Sequence, residues 1–282
     1  VGSEMCIRDR HDAKGGALML NVDNLTVQVD GVTLVDSVTF NARPGEVTGL
    51  IGPNGAGKST VLGAIAGDID FSGEISVGGL SPKTSPRELA RKRAVMLQDV
   101  SVSFEFLVRD VVAMGRRPWR GTPHAELDEQ FIEAALETAG AAHLSGRDIS
   151  TLSGGERARV AFARVLAQNT PIILLDEPTA ALDIRHQEQL LGSAKALARE
   201  AGVTALVVLH DLNAAAAYCD HIVCVSRGGI AAQGRVAEVF TGPILSEVYG
   251  WPISVDGLQV QPQRAAPTIN SFFSHQLEDF HV

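Results

Sequence analysis

Residues Val47–Thr60 read VTGLIGPNGAGKST. VTGLI is a short, nearly all-apolar run, the pattern of a strand buried on both faces of a parallel sheet. GPNGAGKST follows at once and satisfies G-x-x-x-x-G-K-S/T. VLGAIAG (Val61–Gly67) then reads as a helix. Strand, glycine-rich loop and helix in that order are the setting in which this loop holds phosphate. Its bare glycines let successive backbone N–H groups converge on anionic oxygens, and the helix start adds partial positive charge. The binding set is Gly52, Pro53, Asn54, Gly55, Ala56, Gly57, Lys58, Ser59 and Thr60. Lys58 is placed for β- and γ-phosphates, Ser59 for Mg²⁺, and Thr60 adds a hydroxyl donor. A surface glycine loop that merely opens a helix would not need the strand before it.

Upstream, MLNVDNLTVQV and VTLVDSVTF (Met19–Phe40) alternate like strands and are split by Asp30-Gly31. That dipeptide between alternating runs predicts a tight hairpin. Downstream, residues 86–168 carry helix-period segments with few strand signals. In HAELDEQFIEAALETAG (His124–Gly140), Leu127, Phe131, Ala135 and Ala139 recur every four residues and Gly140 closes the helix. After Pro171 the β–α alternation returns through PIILLDEP, a helix over Gln189–Glu200, VTALVVLH, NAAAAYCD and HIVCVS. The reading is an α/β core with an antiparallel N-terminal β part and an inserted helical part at about 86–168. The domain spans 19–264. Residues 1–18 lack periodicity and read as a disordered or non-native leader, with order beginning at Met19, and 265–282 read as a polar tail.

Composition narrows the classes. Of 282 residues 45% are hydrophobic, enough for a self-sufficient core. Three scattered cysteines exclude a disulfide framework and suit a reducing compartment. A net charge of −9 and only 5% aromatics speak against nucleic acid as a partner. No apolar run approaches the ~20 residues of a spanning helix.

Two further motifs carry chemistry. IILLDEP (Ile172–Pro178) delivers Asp176 and Glu177 at the C-terminal end of a strand, where ligands bind in parallel sheets. Asp176 is placed for the Mg²⁺ shell and Glu177 to polarise an attacking water. LSGGE (Leu152–Glu156) opens a long helix with Ser153 and the amides of Gly154 and Gly155, a second anion site. Taken singly, a strand ending in solvated acids and a serine N-cap would explain these two motifs.

Taken together, the phosphate loop, LSGGE and ILLDEP resemble the ATP-binding subunits of ABC transporters, over about Met19–Arg264. The resemblance implies a P-loop NTPase core. Gln98 in VMLQD is similar to the family's Q-loop glutamine, Asp183 in TAALD to its D-loop aspartate, and His210 in VLHDL to its switch histidine. It further implies a head-to-tail homodimer with ATP between one subunit's phosphate loop and the other's Ser153, Gly154, Gly155, Glu156 and Asp183. Glu177 would be the general base, His210 would contact the γ-phosphate, and Gln98 would reach Mg²⁺ or the water.

SPRELARKRAVMLQD (Ser85–Asp99) and SFEFLVRDVVAMGRRPW (Ser103–Trp119) resemble the importers of iron-siderophores, haem and cobalamin. Within them the haemin-importer ATPases match best, sharing the SPRELAR run, Glu156 and the YGWP stretch Tyr249–Pro252. This implies two copies of a separate permease, a periplasmic or lipid-anchored haem-binding protein, and a place on the cytoplasmic face of the bacterial inner membrane. A siderophore or cobalamin importer is the alternative; a soluble or exporter ABC ATPase fits less well. The sequence departs from the family at Val29, where an adenine-stacking ring is common, at Glu156 for Gln, and at Ala180 for Ser. The basic runs Arg87–Arg93 and Arg116–Arg120 read as a solvated face or a surface near permease loops or lipid. Cys219 and Cys224 read as small core residues rather than metal ligands.

Overall fold

The structure, a computed structural model, describes residues 20–97 and 106–264. It opens with β1 (Leu20–Val29) and β2 (Val32–Ala42), paired antiparallel with Val29 opposite Val32. The turn residues Asp30 (φ 50°) and Gly31 (φ 79°) are both left-handed, as the expected tight hairpin requires. β3 (Val47–Ile51) enters a second sheet and leads through the glycine loop into α1 (Lys58–Ala66). β4 (Ser72–Val77) returns to the first sheet, giving the order β2-β1-β4.

α2 (Pro86–Ala90) and β5 (Arg93–Met96) come next, then α3 (Val108–Ala113), α4 (Asp128–Thr138) and α5 (Gly154–Gln168), which pack on one another. β6 (Ile172–Asp176), α6 (Ile184–Ala201), β7 (Thr204–Val208), α7 (Leu212–Tyr218) and β8 (His221–Ser226) restore the alternation. β9 (Gly229–Arg235), α8 (Val236–Val239), α9 (Gly242–Tyr249), β10 (Ile253–Asp256) and β11 (Gln259–Pro262) complete the described chain.

The six-stranded sheet runs β5-β6-β7-β3-β8-β9 and is parallel except for β8–β9. β3, β6 and β7 are buried at every residue, so their near-continuous apolar text follows from two covered faces. Alternation sorts their side chains. Leu50, Leu174, Leu206 and Val223 meet α1 and the antiparallel sheet. Ile51, Ile173, Val207 and Ile222 meet the face that holds Phe162 of α5 and Leu191 of α6. α1 is therefore a middle layer, and seven of its nine residues are buried.

Two readings are corrected. β5 belongs to the core sheet yet lies inside the stretch 86–168 taken as helical. At four residues, RAVM is too short to show a strand period. Of the face expected in α4, Ala135 and, just past the helix end, Ala139 are buried, joined by Ile132 and Leu136, while Leu127 and Phe131 are only half-buried. Pro123–Leu127 forms a 3-10 turn, whose three-residue period rotates Leu127 off that face. Met19 and the tail 265–282 lie outside the described residues.

Leu62, 1% exposed between the two sheets, tests the middle layer. Leu62→Ala is expected to cost about 2–5 kcal/mol. Chemical denaturation should show a lower midpoint with an unchanged denaturant slope.

Candidate functional site: a nucleotide cleft and a separate glycine signature

β3 carries its chain straight to Gly52, whose backbone (φ 147°) only glycine adopts readily. A Cβ there would stand 2.0 Å from the Val225 carbonyl oxygen of β8. The bare backbone lets the loop turn tightly against β8. Lys58, the first residue of α1, is buried. Its Nζ donates to the carbonyl oxygens of Gly52 (2.9 Å) and Pro53 (3.0 Å). Burial lowers its pKa, while the charges of Glu177 and Asp176 act to raise it. The ammonium thus rests curled over its own loop.

Asp176 ends β6, 6% exposed. The Ser59 hydroxyl donates to its Oδ1 at 3.4 Å. Burial raises the Asp176 carboxyl above its ordinary range, and the Ser59 hydrogen bond offsets part of that rise. Glu177 follows at φ 47°, left-handed for a non-glycine residue, a strain characteristic of functional turns. Its Oε1 meets Nε2 of His210, which sits just past β7. Lys58, Ser59, Thr60, Glu177 and His210 share an open cleft of about 500 Å³. Three parallel strands therefore deliver the functional groups to one edge of the sheet.

The LSGGE residues stand apart from this cleft. Ser153 is the N-cap of α5 in a capping box with Glu156. The Ser153 amide and hydroxyl donate to Glu156 Oε2 at 2.7 and 2.8 Å, and the Glu156 amide donates back at 3.3 Å. These donors, with the Arg147 charge, hold the Glu156 carboxyl below its ordinary range. Glu156 also meets Arg147 Nη1 through Oε1 at 3.2 Å, an ion pair that a glutamine would not form. Gly155 lies against the chain before α6, where an added Cβ would come 3.0 Å from the Ala181 carbonyl oxygen. Asp183, the N-cap of α6, accepts from the His186 amide at 2.9 Å. Among the described residues, neither Ser153–Glu156 nor Asp183 lines the phosphate cleft.

Two groups of the expected site residues are therefore assembled, separately, within one chain. Gln98 lies outside the described residues. The sequence reading missed Leu34, which lines the cleft. A register shift in the β1–β2 pairing between Val27 and Gln28 leaves Leu34 39% exposed, and no local sequence signal marks that bulge. Val29 is 46% exposed on the same hairpin. Cys219 and Cys224 are buried, and burial pushes their thiols up to about 12 and about 11.

A phosphate loop, an acidic strand end and a detached glycine signature define an ATP-binding cassette. The ABC transporter family matches residues 35–180. The chain belongs to that family as an ATP-binding subunit and is an ATPase. The hemin import ATP-binding protein HmuV of Streptomyces coelicolor is 49% identical over 246 residues, 86% of this chain and 87% of that protein. HmuV of Bordetella pertussis is 44% identical over 243 residues, covering 83% and 92%. Among solved structures, the dimeric bacterial ABC transporter cassette MJ0796 is similar at TM-score 0.71 and 28% identity, over 77% of this chain and 98% of that one. A metal-chelate type ABC transporter in an inward-facing conformation gives TM-score 0.73 at 25% identity, over 87% and 97%. Among the described residues no helix is long and apolar enough to cross a membrane.

The raised Asp176 pKa sets the sign of a stability test. A carboxyl whose folded pKa exceeds its unfolded value favours the fold most in acid, and that contribution is lost as pH rises through the folded pKa. Asp176→Asn should therefore raise the melting temperature of the nucleotide-free protein near neutral pH. Thermal scans across pH should show the gain shrinking toward the carboxylate range.

Proposed function

We propose that this chain is the ATP-binding subunit of a bacterial haemin importer, hydrolysing ATP at sites shared between two head-to-tail copies. The observation that carries the shared-site reading is the separation just described: among the described residues, Ser153–Glu156 and Asp183 do not line the cleft of the phosphate loop. In a head-to-tail pair, Ser153, Gly154, Gly155, Glu156 and Asp183 of one copy close over the phosphate loop of the other. The dimeric form of the similar cassette MJ0796 supports that reading.

On this reading the loop Gly52–Thr60 cradles the phosphates through backbone amides. Lys58 exchanges its two carbonyl partners for β- and γ-phosphate oxygens. The Ser59 hydroxyl and Asp176 carboxylate, already within 3.4 Å, are a hard-oxygen pair suited to Mg²⁺, with Gln98 as a third ligand. Mg²⁺ bound there would neutralise charge on the phosphate oxygens and favour ionised Asp176. Glu177 accepts a proton from the attacking water, whose oxygen bonds to the γ-phosphorus as the bond to the β-bridging oxygen breaks. His210, in contact with Glu177, orients that carboxylate and reaches the γ-phosphate.

ABC ATPase subunits of importers work with separate permease components. The haemin assignment rests on the HmuV relatives, which match over most of both chains. On this reading two ATPase copies sit beneath two permease copies at the cytoplasmic face of the inner membrane, with a periplasmic or lipid-anchored haem-binding protein acting through the permease. The residues around 86–168, apart from the core strand β5, then serve as the helical subdomain, and 19–264 as the cassette. ATPase assays of the permease complex with haem-loaded and siderophore-loaded binding proteins test the cargo; stimulation by the siderophore carrier alone would overturn haemin.

Two substitutions test the site. Glu177→Gln keeps shape but takes no proton. It should bind Mg-ATP normally, turn over at least about 10²-fold more slowly, and elute as an ATP-bound dimer in size-exclusion chromatography. Turnover at the wild-type rate would exclude Glu177 as the base. Gly154→Asp brings a carboxylate to the partner's γ-phosphate. ATP titration of the monomer should be unchanged while hydrolysis is lost; weakened binding to the monomer would contradict a site completed by the partner.

A further inference from the structure

The run GRRPW, read from sequence as surface charge, is partly buried. Arg116 is 3% exposed. It lies in the 3-10 turn Met114–Trp119, docked on the last turns of α5. An added Cβ at Gly115 would stand 2.4 Å from the Arg164 carbonyl oxygen, so turn and helix touch backbone to backbone. Arg116 donates to the Ala167 carbonyl at 2.8 Å, to the His124 carbonyl at 3.1 Å and to Asp128 Oδ1 at 2.7 Å. The Phe131 ring lies 4.4 Å from its guanidinium carbon. Trp119 Nε1 donates to the Gln168 carbonyl at 2.7 Å. The last carbonyls of a helix have no partner within it. Here two of them are taken by side chains of one short turn, and the Arg116 cation complements the helix dipole.

The same point is tied to the core. The Gln168 side chain donates to the carbonyls of Ala90 and Arg93, the end of α2 and the start of β5, at 2.6 and 2.8 Å. Arg91 donates to the Pro118 carbonyl at 2.9 Å. The C-terminal end of α5 is thus fixed in place, and its other end carries Ser153 and Gly154. Fifteen residues span about 22 Å. A tilt of about 10° at the clamped end would carry Ser153 by about 4 Å, beyond the tolerance of a hydrogen bond.

We propose that Arg116 and Trp119 are positioning residues for hydrolysis: they set the tilt of α5 and thereby aim Ser153 and Gly154 at the nucleotide of the partner copy. The inference rests on the shared-site reading. It requires the clamp to act on turnover and dimer closure, not on nucleotide affinity of the single chain.

Trp119→Phe keeps the ring and removes the indole donor. Arg116→Lys keeps the charge and removes the fork that reaches Ala167, His124 and Asp128 together. Both should bind ATP as monomers within about twofold of wild type, because the phosphate loop is untouched. Both should lower kcat by about two- to tenfold, the worth of one lost hydrogen bond, assayed well below their measured melting temperatures. In a Glu177→Gln background each should shift the ATP-driven dimerisation midpoint to higher protein concentration. Wild-type kcat with only a lowered melting temperature would show the clamp to be a packing feature and overturn the proposal, as would weakened ATP binding by the monomer. If the Glu177→Gln parent itself forms no ATP dimer, the shared-site reading falls and the clamp proposal with it. If the parent dimerises and the clamp variants dimerise equally, only the clamp proposal falls. Should Arg116→Lys fail to fold with Asp128 left ill-paired, Trp119→Phe decides alone.

Discussion

The site depends on backbone approaching backbone at Gly52. With 2.0 Å between a hypothetical Cβ and the Val225 carbonyl oxygen, no side chain fits there, and the chain leaves β3 in a direction open to glycine. That contact sets the path by which the loop leaves the sheet. The loop in turn fixes the start of α1, with Lys58 bonded back to the Gly52 and Pro53 carbonyls. α1 then needs a cover on its far side, and the antiparallel sheet β2-β1-β4 supplies it. A constraint on one residue thus propagates into the middle layer of the fold. The neighbouring strands β6 and β7 bring Asp176, Glu177 and His210 to the same edge because parallel strands end on the same side.

Burial dominates the electrostatics of the cleft. Burial works against the ionised forms of both Lys58 and Asp176. A polyanion at the loop and a cation beside Ser59 would restore favourable partners to both. The signature end of α5 is built on the opposite plan. Glu156 satisfies the Ser153 donors internally, and the helix start is held ready by its own capping box. The two elements therefore differ in construction: one rests on burial and curled-back contacts, the other on a local hydrogen-bonded cap.

Much of this was legible because the deciding signals are local. The G-x-x-x-x-G-K-S/T spacing, the Asp30-Gly31 turn and the apolar runs VTGLI and IILLD each state their own geometry. What was not legible depends on tertiary contact. β5 shows no period in four residues. The four-residue spacing read in α4 does not mark Ile132 and Leu136, which are buried there, and Leu127 falls in a 3-10 turn before the helix. Leu34 reaches the cleft through a pairing irregularity. Arg116, a charge in a basic run, is buried because carbonyls from α5 and the segment at His124 converge on it, together with Asp128. Sequence text does not distinguish a solvated arginine from one whose partners include a carbonyl 51 residues away.

The central claim is that a phosphate loop and a glycine signature from different copies complete one catalytic site. The most direct test is a crystal structure of the Glu177→Gln chain trapped with Mg-ATP. The account predicts two copies head to tail, with each γ-phosphate between Lys58 of one chain and Ser153 of the partner subunit. Nucleotide bound in a single copy with its own Ser153 on the γ-phosphate, or a γ-phosphate with no signature contact in a dimer, would contradict it.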